Sequence, residues 1–261
     1  IESYSLQHAD YAIAGSKGAA AVWREKGYRG PMAVIPQFGV DPDIFTPRDA
    51  LPSIGQRRQP HRTREFAIGY AGRLVPEKGV DLLLSAVAGL KELAPQGKPW
   101  RLYILGDGSE KGNLKTQARA LGLTPRVIFE GWLPSTRMST FYHKLDVLVL
   151  PSRSRSNWVE QFGRVLVEGM ACGVAVVGSD CGEIPHVIGE AGLVFPEDDV
   201  AALRACLSRL MTEPETSARL ARRGRERVIQ HFTQESVAAR TVAVYRELID
   251  SSADVSPFPR D

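Results

Sequence analysis

Arg73 and Lys78 stand five residues apart in Gly72-Arg73-Leu74-Val75-Pro76-Glu77-Lys78-Gly79, where an apolar β-rich run gives way to a helical pattern. Arginine offers a rigid fork of donors and lysine a mobile point charge. Beside a helix N-terminus, whose free N–H groups favour anions, the two would clamp a diphosphate. The same residues also fit a surface loop in which Lys78 only begins the helix. A second stretch runs Glu160-Gln161-Phe162-Gly163-Arg164-Val165-Leu166-Val167-Glu168. Gly163 can open a helix there and leave N–H groups near Phe162 to Val165 pointing at a phosphate or sugar oxygen. Glu160 would then lie in the preceding loop and Glu168 in the second helical turn. From those places both could accept from vicinal hydroxyls, one set on a hexose and one on a ribose. The plainer alternative leaves Glu160 solvated and Glu168 capped or paired locally.

Two glycine turns are weaker signals. Ile104-Leu105-Gly106-Asp107-Gly108-Ser109, followed by Gly112 and then Glu130, must be weighed as a dinucleotide fingerprint. Its glycines run GxGxxxG instead of GxGxxG, so a nicotinamide or flavin site is disfavoured. A tight turn that brings backbone near a nucleotide phosphate, or packs helix on sheet, fits better. Gly178-Ser179-Asp180-Cys181-Gly182-Glu183-Ile184-Pro185 reads as a glycine-rich loop entering a short helix, and it fits a turn with proline in the first helical turn at least as well as direct ligand contact. Asp41-Pro42-Asp43 spells an acid-x-acid string but sits away from the other motifs, and we read it as a turn and helix start. The five histidines are scattered without ligand spacing, so no metal site is expected; His186 falls in the cleft region, where a packing or helix-end role fits better than general base catalysis.

These motifs need a scaffold that brings strand ends together. From Phe66 onward, short apolar runs alternate with amphipathic stretches, the pattern of parallel strands joined by crossover helices. Strands are expected at Phe66 to Ala71, Arg101 to Leu105, Val127 to Glu130, Val147 to Leu150, Val174 to Val177 and Leu193 to Phe195. Helices are expected from near Lys78, Ser109, Pro134, Gly163 and Ile184, then over Val200 to Met211, Glu215 to Gln230 and Gln234 to Asp250. The fold class is therefore α/β, a Rossmann-like parallel sheet with helices on both faces. Residues 1–36 read as helix, strand, helix, strand. They are too few for a domain, so 1–48 is expected to be the last piece of a preceding α/β domain. Residues 49–64 are polar, proline-bearing and basic, which suggests a linker. The expected division is thus 1–48, linker 49–64, ligand-binding domain 65–250 and tail 251–261.

With 43% hydrophobic and 24% charged residues, the 261-residue chain has the composition of a packed globular protein and not of a disordered one. A net charge of +3 is too small to call for nucleic acid, although Arg57, Arg58, His61, Arg62 and Arg64 make a local basic stretch, read as a solvated linker in preference to a contact with an anionic membrane or partner. The apolar run from Val165 to Val177 is broken by Glu168 and falls short of the roughly 20 residues a membrane span needs. Cys172, Cys181 and Cys206 lack metal spacing and leave an odd thiol, pointing to a reducing compartment such as the cytoplasm.

Taken together, these stretches resemble the family 4 (group 1) glycosyltransferases of the two-domain GT-B fold. The resemblance rests on Ile35-Pro36 through Gly39-Val40-Asp41 with Phe45-Thr46-Pro47, Gly72-Arg73-Leu74 with Lys78-Gly79, and Gly106-Asp107-Gly108. It continues in Phe129 with Gly131, Pro151-Ser152 leading to Glu160-Gln161-Phe162-Gly163, then Glu168, Met170-Ala171-Cys172-Gly173 and Gly182. The motifs come in family order over nearly the whole chain.

The resemblance implies the C-terminal, donor-binding half of a retaining enzyme that moves a sugar from a UDP- or GDP-linked donor without a metal ion or other cofactor. It assigns the diphosphate to Arg73 and Lys78, the donor sugar to Glu160 and the ribose to Glu168. It also places phosphate or sugar contacts around Gln161, Phe162, Gly163 and Arg164 and at the turns of Gly72, Gly106 and Gly108, and the base pocket along Glu130, Gly131, Trp132 and Leu133. The implied partners are the nucleotide sugar and a saccharide or lipid-linked acceptor held by an N-terminal domain, with peripheral association at the inner membrane face as a family habit. Alternatives of another class are a noncatalytic nucleotide-sugar module, an epimerase or an oxidoreductase. The chain departs from the family pattern at Gln161, where a small residue is common. Other departures are the longer stretch Arg153 to Val159, Gly169 in place of alanine and Cys181 in place of glycine. With only the last elements of an acceptor domain expected, weak or absent transfer by this chain alone is also expected.

Overall fold

The computed structural model describes residues 2–48, 65–90 and 99–253. The opening segment folds as α1 (Glu2–His8), β1 (Ala12–Ala14), α2 (Lys17–Glu25) and β2 (Met32–Val34), and the two strands pair in parallel as a small sheet of their own. Ser16 caps α2, its side chain accepting from Ala19 N at 3.0 Å.

The larger sheet contains β3 (Phe66–Ala71), β4 (Trp100–Leu105), β5 (Val127–Glu130), β6 (Val147–Leu150), β7 (Ala175–Ser179) and β8 (Leu193–Phe195). Its helices are α3 (Val80–Ala88), α4 (Lys111–Ala120), α5 (Met138–Tyr142), α6 (Arg164–Ala171), α7 (Ile184–Ile188) and α8 (Val200–Thr212). Two longer ones follow, α9 (Pro214–His231) and α10 (Gln234–Ala253). All strand pairs are parallel, in the order β5-β4-β3-β6-β7-β8. Every residue of β3, β6 and β7 is buried, which requires cover on both faces and accounts for their unbroken apolar sequences. Gly69 lets Leu145 approach β3, for a Cβ there would lie 2.2 Å from its Cδ1. The chain leaves β3 toward β4 on one side and resumes at β6 on the other. In such an order the crevice between the carboxyl ends of β3 and β6 is the switch point where ligands bind.

Several boundaries differ from the sequence reading. The helix after β3 starts at Val80, not Lys78, because Pro76–Lys78 wind as a 3-10 turn. Gly79, at φ +64°, then breaks the path before α3. After β4 the helix starts at Lys111, not Ser109, since Glu110 N is drawn to Leu74 O at 2.9 Å. A 3-10 turn, Ser135–Arg137, precedes α5. The strand expected to begin at Val174 begins at Ala175 and continues to Ser179, taking Gly178 and Ser179 out of the loop assigned to them. Asp41 makes a turn, its carboxylate accepting from Asp43 N at 2.9 Å, and no helix follows. The last helix runs on to Ala253. The expected linker and its basic stretch lie outside the described residues, as does 254–261.

The opening segment is fastened to the junction between α9 and α10. Val40 N donates to Phe232 O at 2.8 Å, and Gln234 N donates to Val40 O at 3.0 Å. Gly39 permits the approach, since a Cβ would sit 2.5 Å from Gln234 N. Arg225, on α9, donates to Phe45 O at 2.7 Å and Ala171 O at 2.9 Å, tying three stretches together.

Candidate active site

The loops that follow β3 and β6 meet at the switch point, and glycine makes the meeting possible. A Cβ at Gly79 would lie 1.9 Å from Pro151 O. Only hydrogen fits between the two backbones. Arg153 N donates to Glu77 O at 2.9 Å and fastens the loops again. Across this seam Lys78 Nζ reaches Glu160 Oε2 at 2.5 Å, and both side chains are mostly buried. Ser152 Oγ donates to the same carboxylate oxygen at 2.9 Å. The ammonium also lies 4.9 Å from the ring centroid of Trp158, a cation–π contact that covers it from another side. Beneath the loop, Tyr70 Oη donates to Arg73 O at 2.7 Å. Burial, and then the nearby charge of Glu160, hold the Tyr70 phenol well above its ordinary range, so it remains a neutral donor.

The backbone of Glu160 is held as closely as its side chain. Glu183 N donates to Glu160 O at 2.9 Å. Gly182 comes so near that a Cβ would stand 2.2 Å from that carbonyl, and the buried Cys181 Sγ accepts from Glu160 N at 3.4 Å. Burial raises the Cys181 thiol, which stays protonated and inert.

Glu168 has partners of its own. On α6 it is buried, accepting from Tyr142 Oη at 2.6 Å and from Arg164 Nε at 2.7 Å. Burial, then the Glu168 charge, push the Tyr142 phenol far up. The Arg164 guanidinium lies 5.8 Å from the Phe38 ring centroid. Arg73, by contrast, projects into solvent with a side chain 69% exposed, and its ion-pair partner among the described residues is a distant Glu77 carboxylate at 3.9 Å.

The sequence-expected residues therefore separate. Lys78 and Glu160 touch; Arg73 is on the same loop as Lys78 but faces outward, and Glu168 lies on α6 with a different pair of donors. Gly163, at φ +75°, does open α6. The Phe162 ring is spent on packing, 6.0 Å from Phe38 and 5.9 Å from Phe232, leaving its backbone as the part that could meet a ligand. Gln161 is exposed beside it. Gly106 and Gly108 pack turn against turn: a Cβ on Gly106 would lie 1.9 Å from Gly72 O and one on Gly108 2.3 Å from Leu74 O. Of the turn after β5, Glu130 pairs with Lys144 at 2.9 Å, Gly131 faces open space, Trp132 is 75% exposed and Leu133 packs partly on the core. His186 lies 3.5 Å from Glu183. Among the described residues no three acidic, histidine or cysteine side chains cluster as a metal site, and no helix is long and apolar enough to cross a membrane.

Sequence reasoning missed Trp158, Tyr142 and Glu183. Trp158 and Tyr142 carry no spacing signal, and Glu183 reads in sequence only as part of a glycine loop. A lone tryptophan after the polar stretch Arg153 to Asn157 was the one available hint.

The order of strands defines a doubly wound α/β protein, and the crevice between β3 and β6 with its buried lysine–carboxylate pair is its candidate ligand site. Residues 55–227 match the family model described as glycosyl transferases group 1. The chain belongs to that family. It is 33% identical over 220 residues to the MMP alpha-(1->4)-mannosyltransferase of Mycolicibacterium hassiacum, covering 83% of this chain and 48% of that protein. It is 30% identical over 217 residues to the GDP-mannose-dependent alpha-(1-6)-phosphatidylinositol monomannoside mannosyltransferase of Mycolicibacterium smegmatis, covering 81% of this chain and 56% of that protein. The chain thus spans about half the length of the curated relatives it matches. Among solved structures, sucrose-phosphate synthase from Thermosynechococcus elongatus superposes with a TM-score of 0.76 at 27% identity, over 96% of this chain and 61% of that one. Anabaena Alr3699/HepE in complex with UDP gives 0.76 at 21% identity, over 93% and 65%, a likeness of fold. The fold class read from the sequence, an α/β parallel sheet of the GT-B kind, is the one observed.

Proposed function

We propose that this chain holds a nucleoside diphosphate sugar, UDP- or GDP-linked, in the crevice between β3 and β6 and serves a retaining hexosyl transfer. The observation that carries the proposal is the Lys78–Glu160 contact at 2.5 Å across the seam of the two loops. A buried ammonium and a buried carboxylate at a topological switch point supply opposite charges where a ligand with an anionic and a hydroxylated half would lie. Mannosyltransferases among the relatives, and a neighbouring structure described as a complex with UDP-glucose, support the same reading.

In this proposal Lys78 turns from Glu160 to the diphosphate, joined by the outward Arg73, and the two cations stabilise the charge that builds as the glycosidic bond breaks. They take the neutralising part that a metal ion plays in other transferases, and no cofactor is invoked. Glu160, with Ser152 fixing one oxygen, accepts from donor-sugar hydroxyls. Glu168 can accept from a ribose as well as from Tyr142 and Arg164, because a carboxylate has about four acceptor sites. Backbone N–H groups of Phe162, Gly163 and Arg164 at the α6 N-terminus meet phosphate or sugar. The turn from Glu130 to Leu133 borders the base. The acceptor, a saccharide or lipid-linked sugar met in the cytoplasm or at a membrane face, is proposed to bind a second surface that closes over the crevice and excludes water, so that this chain alone turns donor over slowly.

Calorimetric titration with UDP, GDP, ADP and NAD tests the reading. Binding of UDP or GDP with little response to NAD supports it. Preference for NAD, or no binding of any of the four at millimolar concentration, removes it.

A further inference from the structure

Glu183 caps the start of α7, yet one of its carboxylate oxygens reaches away from that helix. Its Oε1 accepts from Gly18 N at 2.6 Å, in the first turn of α2, across a separation of 165 residues. The residue is buried, 7% exposed, and the fit is close: a Cβ on Gly18 would lie 3.0 Å from the same oxygen. A carboxylate on a helix N-terminus is a charge-assisted bond, favoured again by the helix dipole. On its own helix His186 faces it at 3.5 Å, and Lys17 stands next to Gly18 at the start of α2.

The main chain of this residue is engaged as well. Glu183 N donates to Glu160 O at 2.9 Å, immediately beyond the Gly182 contact with that carbonyl. One residue therefore joins α2, beside the small sheet, to the backbone of the carboxylate that pairs with Lys78. Its two links differ in kind: the peptide N–H survives any side-chain substitution except proline, whereas the bond to α2 depends on the carboxylate alone.

We propose that Glu183 is a positioning residue, a latch by which the placement of α2 sets the orientation of the Glu160 peptide. The latch itself is independent of any ligand; its consequence for donor binding rests on the nucleotide-sugar reading above. With the carboxylate on Gly18, the turn Cys181–Glu183 is held from both ends and Glu160 has one orientation. With that bond gone, the turn keeps its backbone bond to Glu160 O and the Cys181 contact but loses its tie to α2, so turn and Glu160 peptide shift together and Glu160 samples other orientations while the overall fold persists.

Hydrogen exchange on the full chain tests the latch directly, with Glu183→Ala and Glu183→Gln. The amide oxygen of glutamine can still accept from Gly18 N, so the Gln variant rescues the bond while removing the charge. Glu183→Ala is expected to speed exchange by tenfold or more both in a peptide covering the start of α2 and in one covering Glu160, with peptides from α8 unchanged; Glu183→Gln stays within about threefold of wild type. Faster exchange confined to α2, or a uniform rise through the chain, overturns the proposal. A second reading uses UDP-glucose and UDP. If wild type binds them, Glu183→Ala should lose about fivefold or more in affinity for UDP-glucose and less than twofold for UDP. Equal losses would show a merely structural role. If wild type binds neither, the same comparison is made with GDP-mannose and GDP; failure to bind these as well removes the nucleotide-sugar reading and leaves the exchange result to judge the latch.

Discussion

Replacing Lys78 by methionine keeps a chain of similar volume under Trp158 and removes the charge that faces Glu160. The two charges stand 2.5 Å apart. Their attraction therefore exceeds the ~4 kcal/mol that unit charges gain at about 4 Å in an effective dielectric of about 20. Desolvating each group costs several kcal/mol, so the intact pair adds little net stability. Removing one partner is different. The Lys78 and Glu160 side chains are only 15% and 11% exposed, which leaves water little room to replace what is lost. An orphaned buried charge costs about 3–5 kcal/mol. Ser152 continues to donate to Glu160. That bond trims the expected loss to about 2–4 kcal/mol for Lys78→Met. Glu160→Gln leaves Lys78 with the Trp158 ring and should cost about 1–3 kcal/mol. The double variant has no orphan, so its loss should be smaller than the sum by about 2 kcal/mol. Urea unfolding of the four proteins, with m-values unchanged, reads the coupling from the midpoints. Additivity within about 0.5 kcal/mol would refute the claim that these groups form a buried pair.

Other substitutions probe the seam and its surroundings. Gly79→Ala places a Cβ 1.9 Å from Pro151 O at φ +64°. It should cost about 2–4 kcal/mol in the same unfolding assay. Gly112→Ala, in α4 with open space around it, should instead gain about 0.5–1 kcal/mol. Tyr142→Phe removes a buried donor from Glu168 and should lower stability by about 1–3 kcal/mol; no loss would mean the carboxylate is satisfied elsewhere. The Cys172 thiol is pushed up to about 12 from 9.0, chiefly by burial and then by the Glu168 charge. Between those values the unfolded thiol has lost its proton and the folded one has kept it. Its contribution to stability is therefore complete below pH 9.0 and declines as pH rises toward 12. Urea midpoints should fall less between pH 8 and pH 10 in Cys172→Ala than in wild type, and parallel slopes would contradict this.

The alternation of apolar runs and helical patterns made the large sheet legible, because a valine-rich apolar run as short as Val147–Leu150, closed by Pro151, suits a strand buried on both faces better than a helix. Boundaries were less legible where loops are shaped by distant backbone. Glu110 N pairs with Leu74 O and Gly79 abuts Pro151, and neither constraint lies within a local window of sequence. At the site, Lys78 and Glu160 were foreseeable as chemistry-bearing types, but their direct contact spans 82 residues and came from topology. The outward Arg73 and the enclosed Glu168 show the same limit, for residue type does not say which way a side chain leaves its loop. Glu183 was hidden among turn residues, since its partner, Gly18 N, is a backbone group of a distant helix and leaves no mark in the sequence.

A crystal structure of this chain with UDP or GDP, whichever it binds, bears most directly on the central claim. The account predicts the diphosphate in the crevice between β3 and β6, within hydrogen-bonding distance of Lys78 Nζ and the Arg73 guanidinium, with Glu160 released from the lysine. A nucleotide seated elsewhere, with Lys78 still paired to Glu160 and Arg73 in solvent, would contradict it.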